Sequence, residues 1–572
     1  MSRTKITYGD IAVGAKQDFQ LSAEDKESFV NFEQFKNNHY FPNYTNPCEY
    51  CFALLDGESL LFPDDPFDKK MGLWSNQTSN ENGEFETPIE LVLTAEKIYT
   101  SMGISLEFDT VNNIFANKLN IKWYRDENIL SDMDFEPDAP IYVCVNKVKY
   151  YNKVVITFYS TNVPFNRLRL RQVEYGRGVT FENENIRSTK IIQEIDPISS
   201  QIAINTADLV IDIKSNIEYS FQAKQPLSIY FNDKLVSTTF IKSAQRKSKN
   251  LWNLKGEDYI GLLADIPFYG GIYVNKNATK LIEEIFSIAK IPFEITSDFS
   301  EETVSGYIPY TNCRDALMQI VFAIQAAVDT SNSDVVKIYA LDSGIKQAIP
   351  LTRIMQGQSF GESTTVTSVE LTSHSYKPIT DTYVAYEASI SGTGENIKVE
   401  FREPLHDLKI TSGSIIEYGA NYAIINANSG CVLTGQKYEH NKFIKSKKNP
   451  LVLTTDVENV IAIQNATLVS QNNVDKVLEK CYNYLVNTET INLKIVDGKH
   501  TKQNAETKYG GAKYGAVKYG ATLEQEIIYD VPTNVGDFIE VATEYKGIVR
   551  GRITRQTFNL NGGIIVKNTE MR

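Results

Sequence analysis

The chain is poor in the residues that most often carry chemistry. Its 572 residues hold six cysteines and five histidines, and neither set is spaced as a site. Cys48-Glu49-Tyr50-Cys51 has metal or redox spacing. A structural zinc, however, needs a second ligand pair, and a thioredoxin-type motif needs a βαβ context; neither lies nearby. The other cysteines, at 144, 313, 431 and 481, are isolated and read as packed, reduced thiols. His39, His374, His406, His440 and His500 are widely separated, so a Ser-His-Asp or metal-histidine site would have to be assembled by the fold alone. The chain also lacks a Gly-x-x-x-x-Gly-Lys-Ser/Thr phosphate loop, a Gly-x-Ser-x-Gly elbow and a His-Glu-x-x-His pair. Gly392-Thr393-Gly394 misses the third glycine and the helix of a dinucleotide site. Asp329-Thr330-Ser331 matches the aspartic-protease triplet, but that chemistry needs two carboxylates sharing a proton, from a second copy or a symmetric oligomer. Between a buried helix and a strand the triplet reads as a turn. The reading is of a protein that is no enzyme and takes no cofactor and no metal.

Positive charge is also short. With 58 basic against 71 acidic residues the formal net charge is −13, which argues against a nucleic-acid binder, since that would show a basic face. The basic run Lys442 to Lys448 reads as a solvated loop. No apolar core follows Ser2-Arg3-Thr4-Lys5, so no secretory signal is expected. The most apolar run, 316 to 328, contains Gln319 and Gln325 and falls short of the ~20 residues that span a bilayer. Synthesis and folding in a cytoplasm follow.

What is present is the composition of an ordinary globular protein, 42% hydrophobic and 23% charged, long enough for three to five domains at a prior of about 150 residues each. Residues 1–100 are rich in turn formers, as in Pro42-Asn43-Tyr44-Thr45-Asn46-Pro47, and read as an irregular arm. Residues 101–178 change to short alternating strands, among them Ile104 to Phe108 and Lys153 to Phe158, which indicate a β-sandwich. In it Trp123, Tyr124, Tyr150 and Tyr151 are candidates for stacking on a sugar ring, set against the reading of aromatics as core and ordinary strand surface. More strands follow to 260, with Asn232-Asp233 suited to a tight hairpin turn.

Residues 261–345 differ in kind. Leu281, Ile282, Ile285, Ile288 and Ala289 share one helical face, with Asn277 or Thr279 as N-cap and Pro292 as the stop. A second helix starts at Thr311 or Asn312 and runs through Ala327; it is apolar on nearly every side, from Ala316 to Ile324, and is expected to be buried. The segments 304–308 and 335–341 read as strands. After this insert the chain is β-rich again, with Thr365 to Leu371 alternating. A third helix spans Val474 to Leu485, and closing strands lie between Gln525 and Lys567. Lys508-Tyr509-Gly510, Lys513-Tyr514-Gly515 and Lys518-Tyr519-Gly520 repeat at a five-residue step. They form a low-complexity loop whose Tyr509, Tyr514 and Tyr519 suit adaptable contact.

The order Asp258-Tyr259, Gly261-Leu262-Leu263, Gly270-Gly271, helix, Val304-Ser305-Gly306-Tyr307-Ile308-Pro309, Arg314-Asp315-Ala316-Leu317 helix, strand resembles the helical insert of phage tail hub proteins. Relatives of that family include siphophage tail-associated proteins and the spike base of type VI secretion. Ile192 to Pro197 and Ser220 to Leu227 resemble the start of the family's first β-barrel, and Asn534 to Val541 with Gly551-Arg552-Ile553 and Gly562 to Ile565 resemble its small terminal β-domain. The Tyr-Gly repeat is similar to those in tail proteins of phages of Gram-positive hosts. Pro164 to Leu170 with Val173 to Gly176 resembles the last strands of discoidin-type, sugar-binding jelly rolls.

The fold class that follows is mainly β with an α+β insert: a β-sandwich, two hub-type β-barrels sharing a helical insert, and a small C-terminal β-domain. The expected boundaries are an arm over 1–100, the sandwich over 101–178, the first barrel over 186–260, the insert over 261–345, the second barrel over 346–450 and the C-terminal helix and β-domain over 451–572. No lysozyme or peptidase domain is expected at the end. The resemblance implies a prophage or phage virion structural protein at the tail baseplate, hub or hub-like adaptor, in which three chains imitate a ring of six. Its implied partners are itself as a homotrimer, the tail tube, the tape measure, the spike and other baseplate proteins, with the host cell surface reached indirectly. Recognition of host cell-wall saccharide by the sandwich, as a host-attachment protein, is the alternative.

Overall fold

In the computed structural model the described residues are 4–12, 14–27, 30, 32, 35, 72–110, 112–213, 221–387, 396–427, 430–452, 457–497, 499–502, 525–528, 532–560 and 565–572. They are 59% strand and 11% helix, so the fold is mainly β with a few helices. The chain divides into two compact units: Thr7–Phe181 with Asn216–Leu227, and Met1–Ile6 with Glu182–Ser215 and Ser228–Arg572.

The first unit is organised on two long strands. β1 (Leu73–Thr78) is followed by β2 (Glu84–Phe108), β3 (Ala116–Arg125), β4 (Asn128–Phe135), β5 (Ile141–Thr161) and β6 (Arg167–Glu174). The sheet order is β1-β6-β2-β5-β3-β4. Alternation decides which side chains go inward. Leu91 lies opposite Ile156 and Leu93 opposite Val154, and all four are fully buried. Register shifts between Thr94 and Gly103 interrupt β2 and separate a half that pairs with β5 residues 153–160 from a half that pairs with β5 residues 141–145 on one edge and with β6 on the other. Phe108 and Phe158 then meet edge to face at 6.2 Å, a contact across the core of a two-layer arrangement. Residues 72–100 therefore do not form an irregular arm: Leu73–Thr78 and the first half of β2 are strands of this core. The loop-like composition of 75–84 conceals them, because it belongs to the tight turn between β1 and β2.

The second unit opens with β7 (Ile186–Glu194), β8 (Thr206–Asp212), β9 (Lys234–Arg246) and β10 (Leu251–Glu257). Asn232 and Asp233 at the turn before β9 both have positive φ, as a type I′ hairpin requires. The insert follows: α1 (Tyr259–Leu263), β11 (Gly271–Asn277), α2 (Ala278–Ala289), β12 (Thr303–Ile308), α3 (Cys313–Ile324) and β13 (Val336–Tyr339). Asn277 caps α2 by accepting from the Lys280 amide at 3.0 Å, and Asn312 caps α3 by accepting from the Asp315 amide at 2.9 Å.

Three details of the insert differ from expectation. Ile288 is exposed, and Phe286 completes the buried face instead, because the turn at Pro292 returns Phe293 to stack on it at 4.4 Å. The second helix ends at Ile324 rather than Ala327: Gln325 takes the left-handed conformation, and Ala327 begins a short strand that pairs with β13. The third strand of the insert is likewise shorter than its β-branched run, starting at Val336.

After the insert come β14 (Ile354–Glu362), β15 (Ser368–Glu387), β16 (Val432–Lys448), β17 (Val460–Ile463), α4 (Val474–Leu485), β18 (Glu489–Asp497), β19 (Gly547–Asn559) and β20 (Ile565–Met571). β15 and β16 form one long antiparallel ribbon. Its first strand begins at Ser368, three residues after the predicted start, and runs well past the alternating stretch. The run Lys442 to Lys448 is part of β16, not a loop: Lys445 pairs with Asp475 and Lys447 with Glu479 on α4, and Lys447 sits over the Tyr482 ring at 4.3 Å. The match is geometric, since two residues along a strand advance about 6.8 Å and four along a helix about 6 Å.

One sheet joins the two ends of this unit, in the order β14-β18-β20-β19-β7-β8-β10-β9. Lys190 pairs with Asn559 and Glu194 with Arg555, and the last two also form an ion pair at 2.8 Å. Strands at 186–257 and 489–571 thus share one ladder, although the sequence reading divides them between a first barrel and a terminal domain.

In the first unit Arg169 and Asp109 form an ion pair at 3.0 Å with side chains 9% and 1% exposed, and the Arg169 guanidinium lies 4.5 Å from the Trp74 ring. Removing one partner strands a buried charge. Asp109→Ala is expected to destabilise this unit by about 3–5 kcal/mol, read as an early loss of tryptophan-fluorescence signal on urea unfolding of the full chain. A variant that unfolds like the wild type would contradict this.

Candidate functional site: an aromatic and histidine joint

The residues singled out in the sandwich separate cleanly. Trp123 and Tyr151 are fully buried, with Phe135 edge-on to Trp123 at 6.5 Å and the Tyr151 hydroxyl donating to Ser101 at 2.9 Å. Neither offers a face to a ligand, because alternation turns both inward. Tyr124 is half-buried, with the Lys153 ammonium 5.3 Å from its ring. Tyr150 is 60% exposed at positive φ. The four are not brought together as a stacking platform. Tyr509, Tyr514 and Tyr519 lie outside the described residues, as do Cys48 and Cys51. Asp329-Thr330-Ser331 is a turn, with the Ser331 amide donating to Asp329 at 2.8 Å.

That turn closes a buried polar network absent from the sequence reading. The Thr330 hydroxyl donates to Asp258, which also accepts from the amides of Asn205, Ile260 and Gly261. Burial pushes the Asp258 carboxyl up to about 6, against the pull of these hydrogen bonds. The signal available in sequence is an Asp directly before the Tyr259–Leu263 turn of helix, an N-cap position.

The densest convergence of polar and aromatic groups lies where the insert meets the β15–β16 ribbon. Asn421 is buried and satisfied on both sides of its amide. Its nitrogen donates to the carbonyls of Tyr269 and Ile308 at 2.6 and 3.0 Å, and its oxygen accepts from the Tyr307 hydroxyl at 2.9 Å. Tyr307 leans on Tyr376 at 5.4 Å; Tyr376 stacks on His440 at 4.3 Å, and His440 on His374 at 5.1 Å. On the outer side Tyr269 stacks with Tyr310 and Tyr422, and the Lys398 ammonium sits 4.3 Å from the Tyr269 ring.

The glycines of the insert motif are explained here. Gly306 has φ 149°, and a Cβ there would meet the Thr467 carbonyl oxygen at 2.2 Å; Gly270 has φ 62°, and a Cβ would meet the Ile308 carbonyl oxygen at 2.2 Å. Both positions need a bare backbone because another main chain crosses them.

The histidine tautomers follow from their partners. His374 Nε2 faces the Gln464 carbonyl at 3.0 Å, an acceptor only, so Nε2 carries the proton. In the neutral ring Nδ1 then accepts, and His440 Nε2, 2.9 Å away, donates. Protonating both rings puts two donors face to face. Burial, followed by the charge of His440, holds the His374 pKa down to about 4, and burial followed by Lys442 lowers that of His440.

For a group whose folded pKa is depressed, the unfolded chain binds the proton more readily. The stabilisation is full above the unfolded histidine value of ~6.5 and is lost as pH falls toward 4. Asp258, with a raised pKa, acts in the opposite sense in the same window, so the informative quantity is a difference between variants. His374→Gln keeps a donor for Gln464 and is expected to show a smaller fall in melting temperature from pH 7 to 4.5 than the wild type. Equal falls would remove His374 from the account. Asn421→Leu leaves one hydroxyl and two carbonyls without partners and is expected to cost about 1–3 kcal/mol, with faster amide exchange around 269–271 and 305–308. Unchanged exchange there would contradict the role of Asn421.

No protein-family model and no curated protein sequence matches the chain. Solved structures similar to it include a tail protein from Neisseria meningitidis, 12% identical with a TM-score of 0.39, the match covering 68% of this chain and 92% of that one. Another is a 43 kDa tail protein of a prophage from Shewanella oneidensis, 9% identical with a TM-score of 0.41, covering 69% and 95%. A third is an Escherichia coli component of the type VI secretion system, described as structurally similar to T4 bacteriophage tail proteins, 7% identical with a TM-score of 0.29, covering 68% and 72%.

Proposed function

We propose that the chain is a non-enzymatic structural component of a phage or phage-derived tail. In this reading it is a hub or hub-like adaptor at the baseplate that packs as a trimer and joins the tail tube to spike or receptor-binding parts. The observation that carries the reading is the way the insert is fastened to the β segments on both sides of it in sequence. Its core includes Ile202 from before it and Leu468 from after it, and Phe322 of α3 lies in a second core with Ile198, Val369 and α4. The motif glycines Gly270 and Gly306, which carry the family resemblance, stand at the backbone crossings of this joint. A body tied together in this way suits transmission of force between neighbours.

The sequence resemblance extends the proposal to two barrels, the tape measure and other baseplate proteins as partners, and a place in the virion tail. In a trimer the subunit contacts would be large and apolar, as obligate interfaces are.

Light scattering over a concentration series tests the oligomer. A mass three times the 64.6 kDa of the chain, independent of concentration, is expected. A monomer at every concentration would contradict a self-assembling hub.

A further inference from the structure

The open edge of the sandwich carries a feature that the tail reading does not use. β4 is the last strand of its sheet order, paired through Asn120, Ile121, Lys122 and Trp123 to β3 on one side only. The next strand, β5, begins with residues 141–148 paired to β2. Among the described residues no ladder joins the facing edges of β4 and β5, although they approach closely enough for Asn146 to donate to the Ser131 hydroxyl at 2.8 Å. The hairpin is therefore splayed, and the outer main chain of β4 is left for pairing.

Natural edge strands are guarded by lysine, proline, bulges or a covering element. This one has a bulge at Leu130 but no lysine within it, and it exposes apolar side chains, Ile129 at 57%, Leu130 at 43% and Met133 at 43%, with Ile141 at 62% across the splay. Its charge is of one sign. Asp126, Glu127, Asp132, Asp134, Glu136 and Asp138 fall within thirteen positions, and no Lys or Arg occurs between Arg125 and Lys147. Lys122 and Lys153 reach Asp132 and Glu127 only at 3.8 and 3.9 Å.

We propose that β4 is a docking edge for a partner protein, taking an extended segment that alternates Lys or Arg with apolar residues as an added antiparallel strand. Main-chain pairing supplies the register. Beyond a bulge at Leu130, Asp132 and Asp134 lie opposite Lys122 and Asn120 on one face, joined there by Ile129 opposite Tyr124, while Met133 lies opposite Ile121 on the other, so an added strand meets carboxylates and apolar contact at alternate positions. A second copy of the chain fits poorly, because pairing two such edges sets carboxylate against carboxylate. The proposal stands apart from the tail reading, since it concerns only the first unit.

The probe is a fluorescein-labelled peptide of five Lys-Val repeats, added to the full chain at low salt and read by anisotropy and by hydrogen exchange. Two controls are a peptide of the same composition in blocks, five Lys then five Val, and five Glu-Val repeats. The expected result is binding of the alternating peptide at least tenfold tighter than either control, with slowed exchange of the amides of 128–135. Affinity should fall at least tenfold in Glu136→Lys/Asp138→Lys, whose side chains lie exposed outside the strand and leave its ladder to β3 intact. Equal binding of the block peptide, or binding without protection of 128–135, would reduce the effect to general charge attraction and overturn the proposal. So would no binding, or peptide-free self-association that Leu130→Lys abolishes, which would make a second copy the occupant.

Discussion

The pairing of β7 with β19 is the constraint on which the second unit rests. It joins the first strands of that unit to nearly the last ones of the chain, so everything between must leave the sheet and return to it. The cost of closing so long a loop grows only slowly with length, which is why an α/β insert and a long ribbon can be accommodated between the two. The return is secured by packing rather than by chain proximity: Ile195, Ala327, Ile349, Ile491, Ile539 and Ile553 share one core, drawn from before the insert, from its end and from the closing strands. A topology so dominated by distant contacts is expected to fold slowly.

Within that frame the joint of Asn421, Tyr307, Tyr376, His440 and His374 fixes how the insert meets the ribbon. It is made of directional groups whose donors and acceptors are matched, which rigidifies and specifies one arrangement more than it stabilises. The same matching makes the joint sensitive to protonation, because burial disfavours the charged rings and no hydrogen bond joins the histidine pair once both carry a second proton. Apolar burial on either side supplies the stability that this arrangement draws on.

Local signals were the legible ones. The caps Asn277 and Asn312, the third helix over Val474–Leu485, the turn at Asn232-Asp233 and the buried character of α3 follow from side-chain chemistry within a few residues, and mainly β with an α+β insert follows from their sum. What was not legible depends on partners distant in sequence. Trp123 and Tyr151 read as candidate platforms until register turned them into the core. Lys445 and Lys447 read as loop until α4 brought carboxylates opposite them. Asn421, His374 and His440 are silent in sequence because their meaning lies in groups dozens of residues away, and the strand at 73–78 and the first half of β2 were hidden by the turn residues between them.

Native-state hydrogen exchange under rising denaturant tests most directly whether residues 186–257 and 489–571 belong to one cooperative body. The account predicts that amides of β7, β8, β19 and β20 reach a common opening free energy and lose protection together. Opening of β19 and β20 well before β7 and β8 would show that the chain ends in an independent domain, and would contradict the single continuous unit on which the structural reading depends.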